Sequence, residues 1–64
     1  MRHIDIILAA FSSHEAVSHA REYARVNKLR IVTDPVAVVQ HIRGEERRSP
    51  MFYRVMMDVE PLTD

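Results

Sequence analysis

Four polar residues, Ser12, Ser13, His14 and Asp34, have side chains that could bind a ligand or take part in catalysis. Two serine hydroxyls at a helix start, beside free backbone N–H groups, could hold a small anion. A serine, a histidine and a carboxylate could also form a nucleophilic set, although neighbours on one turn do not give the required geometry. Helix capping explains Ser12 and Asp34 without a ligand, because both residue types are preferred N-caps. We therefore predict caps here, and the alternative is an edge of these four residues that binds an anion or another ligand or forms an enzymatic unit.

Four histidines, one glycine and no cysteine limit the metals and cofactors that the chain could hold. His14 and His19 resemble a zinc-protease motif, but they are five residues apart and would face about 140° away from each other on a helix. The single glycine, Gly44, excludes the glycine-rich phosphate and dinucleotide loops. The sequence therefore predicts no metal, no cofactor, no catalytic residue and a protein that is not an enzyme.

Basic side chains form two groups, one on the first predicted helix and one around a charged loop. Nine basic and nine acidic residues cancel over the whole chain, whereas a domain that binds phosphates usually carries a positive excess. Glutamates also lie within both groups. We predict an ordinary solvated surface, and the alternative is a nucleic-acid-binding module that uses Arg21, Arg25, Arg43, Arg47 and Arg48.

The elements that would position these side chains begin with a strand and a helix. Ile4 to Ala10 is a nearly continuous apolar run, typical of a strand that is covered on both faces. Ser12 and Glu15 have the spacing of a capping box, and the alanine-rich stripe that follows predicts a helix to about Asn27. Asn27 is predicted to end this helix in the left-handed conformation.

The second half of the chain predicts a strand, a helix and a strand. Leu29 to Thr33 is rich in β-branched residues, and Asp34-Pro35 then predicts the start of a short helix that Gly44 ends. The charged residues 45–50 predict a surface loop. From Met51 to Val59 apolar residues alternate with more polar ones, which is typical of an edge strand with one covered face.

These elements predict one small α/β domain over residues 1–64, with a loose tail at residues 61–64. The order strand, helix, strand, helix, strand favours right-handed crossovers and a minimal βαβαβ unit with a mostly parallel three-stranded sheet. The first strand is the most apolar and is placed in the middle, which gives the order 2-1-3 with one helix on each face. If the second helix does not form, the alternative is a β-hairpin from Ile31 to Val59.

The segment from Arg30 to Gly44 contains a strand, then Asp-Pro, then a short predicted helix that closes on Arg-Gly before another strand. This layout resembles that of very short accessory proteins of actinobacterial phages, and the likeness covers most of the chain. The resemblance implies a small phage protein that binds a host protein or self-assembles. It carries over no functional residues.

Chain size and surface residues direct the prediction of function. A chain of 64 residues without cysteine cannot be stapled by disulfides, so a partner subunit is a common source of added stability. Phe52, Arg54 and Met56 lie on the partly wet side of the last predicted strand and are the predicted interface. No segment has the length of an apolar membrane span, which favours a cytoplasmic protein. We predict a non-enzymatic interaction protein that forms a homo-oligomer or acts on a host protein.

Overall fold

The computed structural model describes residues 1–40 and 50–62 of the chain. These residues form β1 (Arg2–Ala10), α1 (Ser13–Val26), β2 (Leu29–Ile31), β3 (Val36–Val39) and β4 (Met51–Pro61). Each of the other strands pairs antiparallel with β4. β1 lies along one side of β4, and β2 and β3 follow one another along its other side. α1 packs on one face of this sheet, with the core between them.

The predicted βαβαβ fold, with a parallel sheet in the order 2-1-3, is wrong. β4 is the central strand rather than an edge strand, and β1 lies at the edge rather than in the middle. The physical reason is the burial of β1, where Ile4 and Ala10 are buried on the helix side while Ile7 on the other side is exposed. A strand with one covered and one wet face suits an antiparallel sheet.

The predicted second helix is also wrong where the structure describes it. Val36–Val39 forms β3 and pairs with residues 53–56 of β4. Residues 41–44 of the predicted helix and residues 45–49 of the predicted loop lie outside the described residues. The branched valine side chain loses freedom in a helix and packs well on a pleated strand. The alternative of a β-hairpin between Ile31 and Val59 agrees with the observed antiparallel registers.

α1 begins at the predicted cap. The Ser12 hydroxyl accepts a hydrogen bond from the Glu15 N–H at 3.0 Å, while the Glu15 carboxylate accepts one from the Phe11 N–H at 3.2 Å. The return bond therefore reaches the residue before the cap rather than the cap itself. At the other end Asn27 has a φ of −89°, and Lys28 adopts the left-handed conformation with a φ of 57°. The prediction that Asn27 takes this conformation is wrong by one residue.

The most deeply buried part of the core under α1 consists of three small residues of the helix and three larger residues of the central strand, and Ile4, Ala10 and Tyr53 complete the core. Ala16, Ala20 and Ala24 of α1 have at most 1% of their surface exposed. Because alanine adds a single methyl group, the helix backbone can lie close to the sheet. The β4 side chains beneath it are Val55, Met57 and Val59, each at most 2% exposed. Within the described residues, no helix is long and apolar enough to cross a bilayer.

The two sides of the sheet differ in regularity. β1 pairs with β4 without interruption over nine residues. On the other side Ile31 pairs with Val59 and Val36 pairs with Met56, so that residues 32–35 bulge against two residues of β4. Pro35, which has no N–H to donate, lies in this bulge. The β2–β3 side is therefore split into two short pieces.

The last described residues are tied to the chain that follows α1. Pro61 is the final residue of β4 and pairs with Leu29. The Leu62 N–H then donates to the Lys28 carbonyl at 3.0 Å. Residues 63–64 of the predicted tail lie outside the described residues.

Candidate interaction face

The sheet has an outer face, defined here as the side opposite α1. Directly paired residues in antiparallel strands point to the same side, so the registers assign its members. Every strand contributes to it. The outer face consists of His3, Asp5, Ile7 and Ala9 from β1, Arg30 from β2, Val36 and Val38 from β3, and Phe52, Arg54, Met56, Asp58 and Glu60 from β4.

Apolar side chains are concentrated in the middle of the outer face. Ile7 is 58%, Val36 54%, Val38 49% and Phe52 36% exposed, and Met56 is half-buried. They are neighbours rather than scattered residues, because Ile7 and Val38 both pair with one β4 residue and Val36 pairs with Met56. Single apolar residues on a surface need no explanation. A contiguous group rimmed by polar residues is typical of an interaction site.

An ion pair lies among these apolar residues. The Arg54 Nε donates to both Asp5 carboxylate oxygens, at 2.8 and 2.9 Å, and its Nη2 also contacts Asp5. This hydrogen bonding from Arg54 is the main reason that the pKa of Asp5 lies below its ordinary value, and the charges of Arg54 and His3 act in the same direction against partial desolvation. The pair therefore stays ionised at neutral pH, with each charge satisfied within the chain.

We expect the Asp5 carboxyl to titrate at higher pH when Arg54 is replaced by glutamine. Because the folded pKa of Asp5 is depressed, this ion pair stabilises the fold above the ordinary carboxyl pKa of about 4 and is lost as the pH falls through the folded value. An NMR titration of the carboxyl carbon measures the shift. Arg25→Gln is the matched control, because Arg25 pairs with Glu22 on α1. An Asp5 pKa that stays the same in Arg54→Gln contradicts the pairing.

A second polar cluster lies where the bulge meets the end of β4. His3 Nδ1 is 3.0 Å from Asp58 Oδ1, and the Thr33 hydroxyl is 3.4 Å from Asp58 Oδ2. The Asp58 N–H also donates to the Thr33 oxygen at 3.1 Å, and the Val32 N–H donates to the Asp58 carbonyl at 2.8 Å. These bonds hold the bulge against β4. In a regular strand a backbone carbonyl would accept the Asp58 N–H, and here the Thr33 side-chain oxygen accepts it instead.

The cluster of His3, Asp58 and Thr33 has the residue types of a catalytic triad but a different order. A triad requires the histidine between the hydroxyl and the carboxylate, so that its ring can accept the hydroxyl proton. Here the carboxylate of Asp58 lies between His3 and Thr33. The geometry therefore supports a structural role for this cluster.

The described residues form a small pocket but no cluster of metal-ligating side chains. A pocket of ≈ 120 Å³ lies at one end of the sheet, lined by Arg2, Leu29 and Val59 among others. Ligand pockets are typically about 300–1,000 Å³, so this one is too small for a substrate of ordinary size. Among residues 1–40 and 50–62, no three metal-ligating side chains come together.

The predicted ligand edge is not assembled. Ser12, Ser13 and His14 follow the end of β1, which pairs with Met51. Asp34 lies in the bulge at the level of Asp58, seven residues further along β4, which corresponds to about 24 Å. β1 and β2 run in the same direction, but β1 ends beside Met51 whereas β2 ends beside Val59, so the residues that follow the two strands lie far apart. The Ser12 hydroxyl is also bonded within its own helix cap.

The predicted arginine groups are placed only in part. Arg21 and Arg25 lie on α1, and Arg25 donates from Nε to Glu22 at 3.0 Å. That carboxylate partly offsets the positive charge that a phosphate would meet. Arg43, Arg47 and Arg48 lie outside the described residues.

The predicted interface residues Phe52, Arg54 and Met56 all lie on the outer face. Sequence reasoning missed their neighbours on the other strands, of which Ile7 and Val38 flank Arg54. The sequence contained a signal for Ile7, because residues 3, 5 and 7 of a strand point to the same side and His3 and Asp5 are polar. The valines of β3 carried no such signal, since their segment was assigned to a helix.

Comparisons with known proteins give no relative from which a role could be transferred. No family model matches the chain, and neither a curated protein nor a solved structure matches it. The resemblance to phage accessory proteins therefore stays a prediction. The outer face must be interpreted from its own chemistry.

Proposed function

We propose that the protein is a non-enzymatic interaction protein that assembles with copies of itself through the outer face. The observation that carries this proposal is the contiguous apolar group of Ile7, Val36, Val38, Phe52 and Met56 on a sheet face that no described element covers. Burying a side chain of this size contributes about 1.5–3 kcal/mol. A chain of 64 residues has a small core of its own, so covering this face adds substantially to its stability.

The charges of the outer face are compatible with burial against a second copy. Asp5 pairs with Arg54, His3 with Asp58, and Arg30 with Glu60. Each pair joins an acid and a base, so that removal of water leaves no carboxylate without its partner. A buried charge without a partner would cost several kcal/mol. The face therefore has little net charge to oppose the approach of an identical face.

Replacing Phe52 and Met56 together with threonine tests the proposal. Threonine keeps the preference for a strand while removing most of the apolar surface. We expect the dissociation constant of the assembly to rise by at least about a hundredfold, because each copy loses two side chains that contribute at least about 1.5 kcal/mol each. Sedimentation velocity over a range of concentrations measures this change, and circular dichroism verifies that the variant is folded.

The matched control replaces two exposed apolar residues elsewhere. Val26 at the end of α1 is 64% exposed and Tyr23, one turn before it, is 40% exposed, and both lie on α1 rather than on the outer face. The double variant Tyr23→Thr, Val26→Thr is expected to sediment like the unchanged protein. If the variant at Phe52 and Met56 keeps the unchanged protein's mass, or if the unchanged protein is a monomer at every concentration, the proposal is wrong.

A further inference from the structure

We propose that the free edge of β1 pairs antiparallel with β1 of a second copy about a two-fold axis at Ile6, joining two sheets into one. This inference rests on the proposed function, because the pairing of two β1 edges explains how the outer face reaches the size of a stable interface. The occupant of the edge is thus another copy of this chain. The two contacts are separate, since one uses the backbone edge of β1 and the other uses side chains of the outer face.

The first observation is the contrast between the two edges of the sheet. Proteins protect exposed edges with bulges, prolines, lysines and short strands. The β2–β3 edge has three of these features, namely the bulge at residues 32–35, Pro35 and strands of three and four residues. β1 has nine residues in unbroken register with β4 and contains neither proline nor lysine. In the described part of the chain, its second side pairs with no other strand.

The second observation is that β1 is complementary to itself in one register. With the axis at Ile6, all nine residues find a partner, and the pairs on the helix side include Ile6 with its own copy and Ile4 with Leu8. On the outer side Asp5 lies opposite Ile7 of the second copy, and His3 lies opposite Ala9. No two like charges face each other directly, a juxtaposition that destabilises cross-strand pairs.

Neighbouring registers are worse for physical reasons. An axis at Asp5 would place two carboxylates directly opposite each other, which is unfavourable. An axis at Ile7 avoids this clash but pairs only residues 4–10, since the strand ends at Ala10. Axes between residues would set the helix side of one copy against the outer side of the other. The longest favourable ladder is therefore the one centred on Ile6.

The third argument is the area of the outer face. Three strands wide and seven residues long, this face measures about 14 Å by 24 Å, or about 350 Å². A stable interface needs about 800 Å² from each partner. A two-fold axis perpendicular to the sheet leaves both helices on one side and joins the two outer faces on the other. The joined face of about 700 Å² approaches the required size, so pairing at the edge favours assembly through the outer face.

A single cysteine at Ile6 tests the edge contact, because the natural chain contains no cysteine. In the proposed register the two Ile6→Cys residues are directly opposite, with Cα atoms about 4.5–5.5 Å apart, which a disulfide can bridge. The control is Ile7→Cys, whose Cα atoms would be about 8 Å apart, too far for a disulfide. Each cysteine is introduced singly into a chain that carries Phe52→Thr and Met56→Thr, so that the outer-face contact is absent.

We expect mild oxidation to give at least about tenfold more disulfide-linked dimer from Ile6→Cys than from Ile7→Cys, as the distance limit for disulfides requires. Non-reducing electrophoresis measures the ratio. Equal yields, or a higher yield from Ile7→Cys, overturn the edge contact and its register. Failure of the proposed function would be a separate result. In that case the variant that carries Phe52→Thr and Met56→Thr but no cysteine would keep the mass of the unchanged protein. If Ile6→Cys unfolds the chain, Ile4→Cys paired with Leu8→Cys in a mixture of the two chains measures the same contact.

Discussion

Replacing Met57 with alanine is expected to remove about half of the protein's stability at room temperature. Met57 is the largest fully buried side chain of the described core, with 2% of its surface exposed beneath α1. Truncation of a buried methionine to alanine costs about 2–5 kcal/mol. At about 0.05–0.15 kcal/mol per residue, a chain of this length has a total stability of about 3–10 kcal/mol. Urea denaturation followed by circular dichroism measures the loss.

Met56→Ala provides a control of the same residue type at the preceding position of the same strand. Met56 lies on the outer face and is half-buried, so its truncation is expected to cost less than about 1 kcal/mol when the chain is monomeric. The measurement therefore uses a protein concentration below that of assembly. Equal losses for the two variants would show that the two faces of β4 are not as assigned.

Enlarging Ala20 to leucine is the second change with a large expected effect. Ala20 is completely buried, midway between Ala16 and Ala24 on the side of α1 that packs on the sheet. Leucine adds three carbon atoms where the backbone of the helix lies close to β4. Overpacking of this kind costs about 1–3 kcal/mol, because the helix must move away from the strands. Thermal unfolding followed at the helix signal measures the effect.

The control for this enlargement is Ser18→Leu, which places the same side chain on an exposed position of α1. Leucine has a higher helix propensity than serine, so this variant is expected to be neutral or slightly stabilising. If Ala20→Leu is also neutral, the packing of α1 against the sheet through its alanines is wrong.

The helix was predictable because its signals are local. Ser12 and Glu15 cap the first turn within three residues of each other, and the alanine stripe repeats at helical spacing. Nothing distant in the chain is needed to interpret either signal. Even so, the return bond from Glu15 and the left-handed residue at the end each fell one position away from the expectation.

The segment from Asp34 to Val39 shows where local signals were insufficient. Asp-Pro has the residue types of a helix start, but the valines that follow prefer a strand. The two preferences conflict within six residues. The outcome depends on β4, which lies more than a dozen residues away in sequence and supplies the pairing for β3. A non-local pairing of this kind cannot be predicted from the sequence pattern of β3 itself.

The candidate site was predictable only along its central strand. The alternation from Met51 to Val59 placed Phe52, Arg54 and Met56 together on one side, and the structure has the same alternation. Their neighbours across the strands depend on register, and a shift of one residue would exchange the two faces. The pairing of Asp5 with Arg54 and the nearness of Ile7 and Val38 could not be inferred without that register.

Local sequence patterns are sufficient to predict the helix with its cap, the strand character of β1 and β4, and the alternation that gives β4 one buried side. Only the folded chain shows that each other strand pairs antiparallel with β4, that β4 is central, and that the segment after Asp34-Pro35 becomes β3. The physical reason is the range of the interactions. Capping and periodicity act within a few residues, whereas strand order and register are set by hydrogen bonds and side-chain contacts between segments that meet only when the chain is folded.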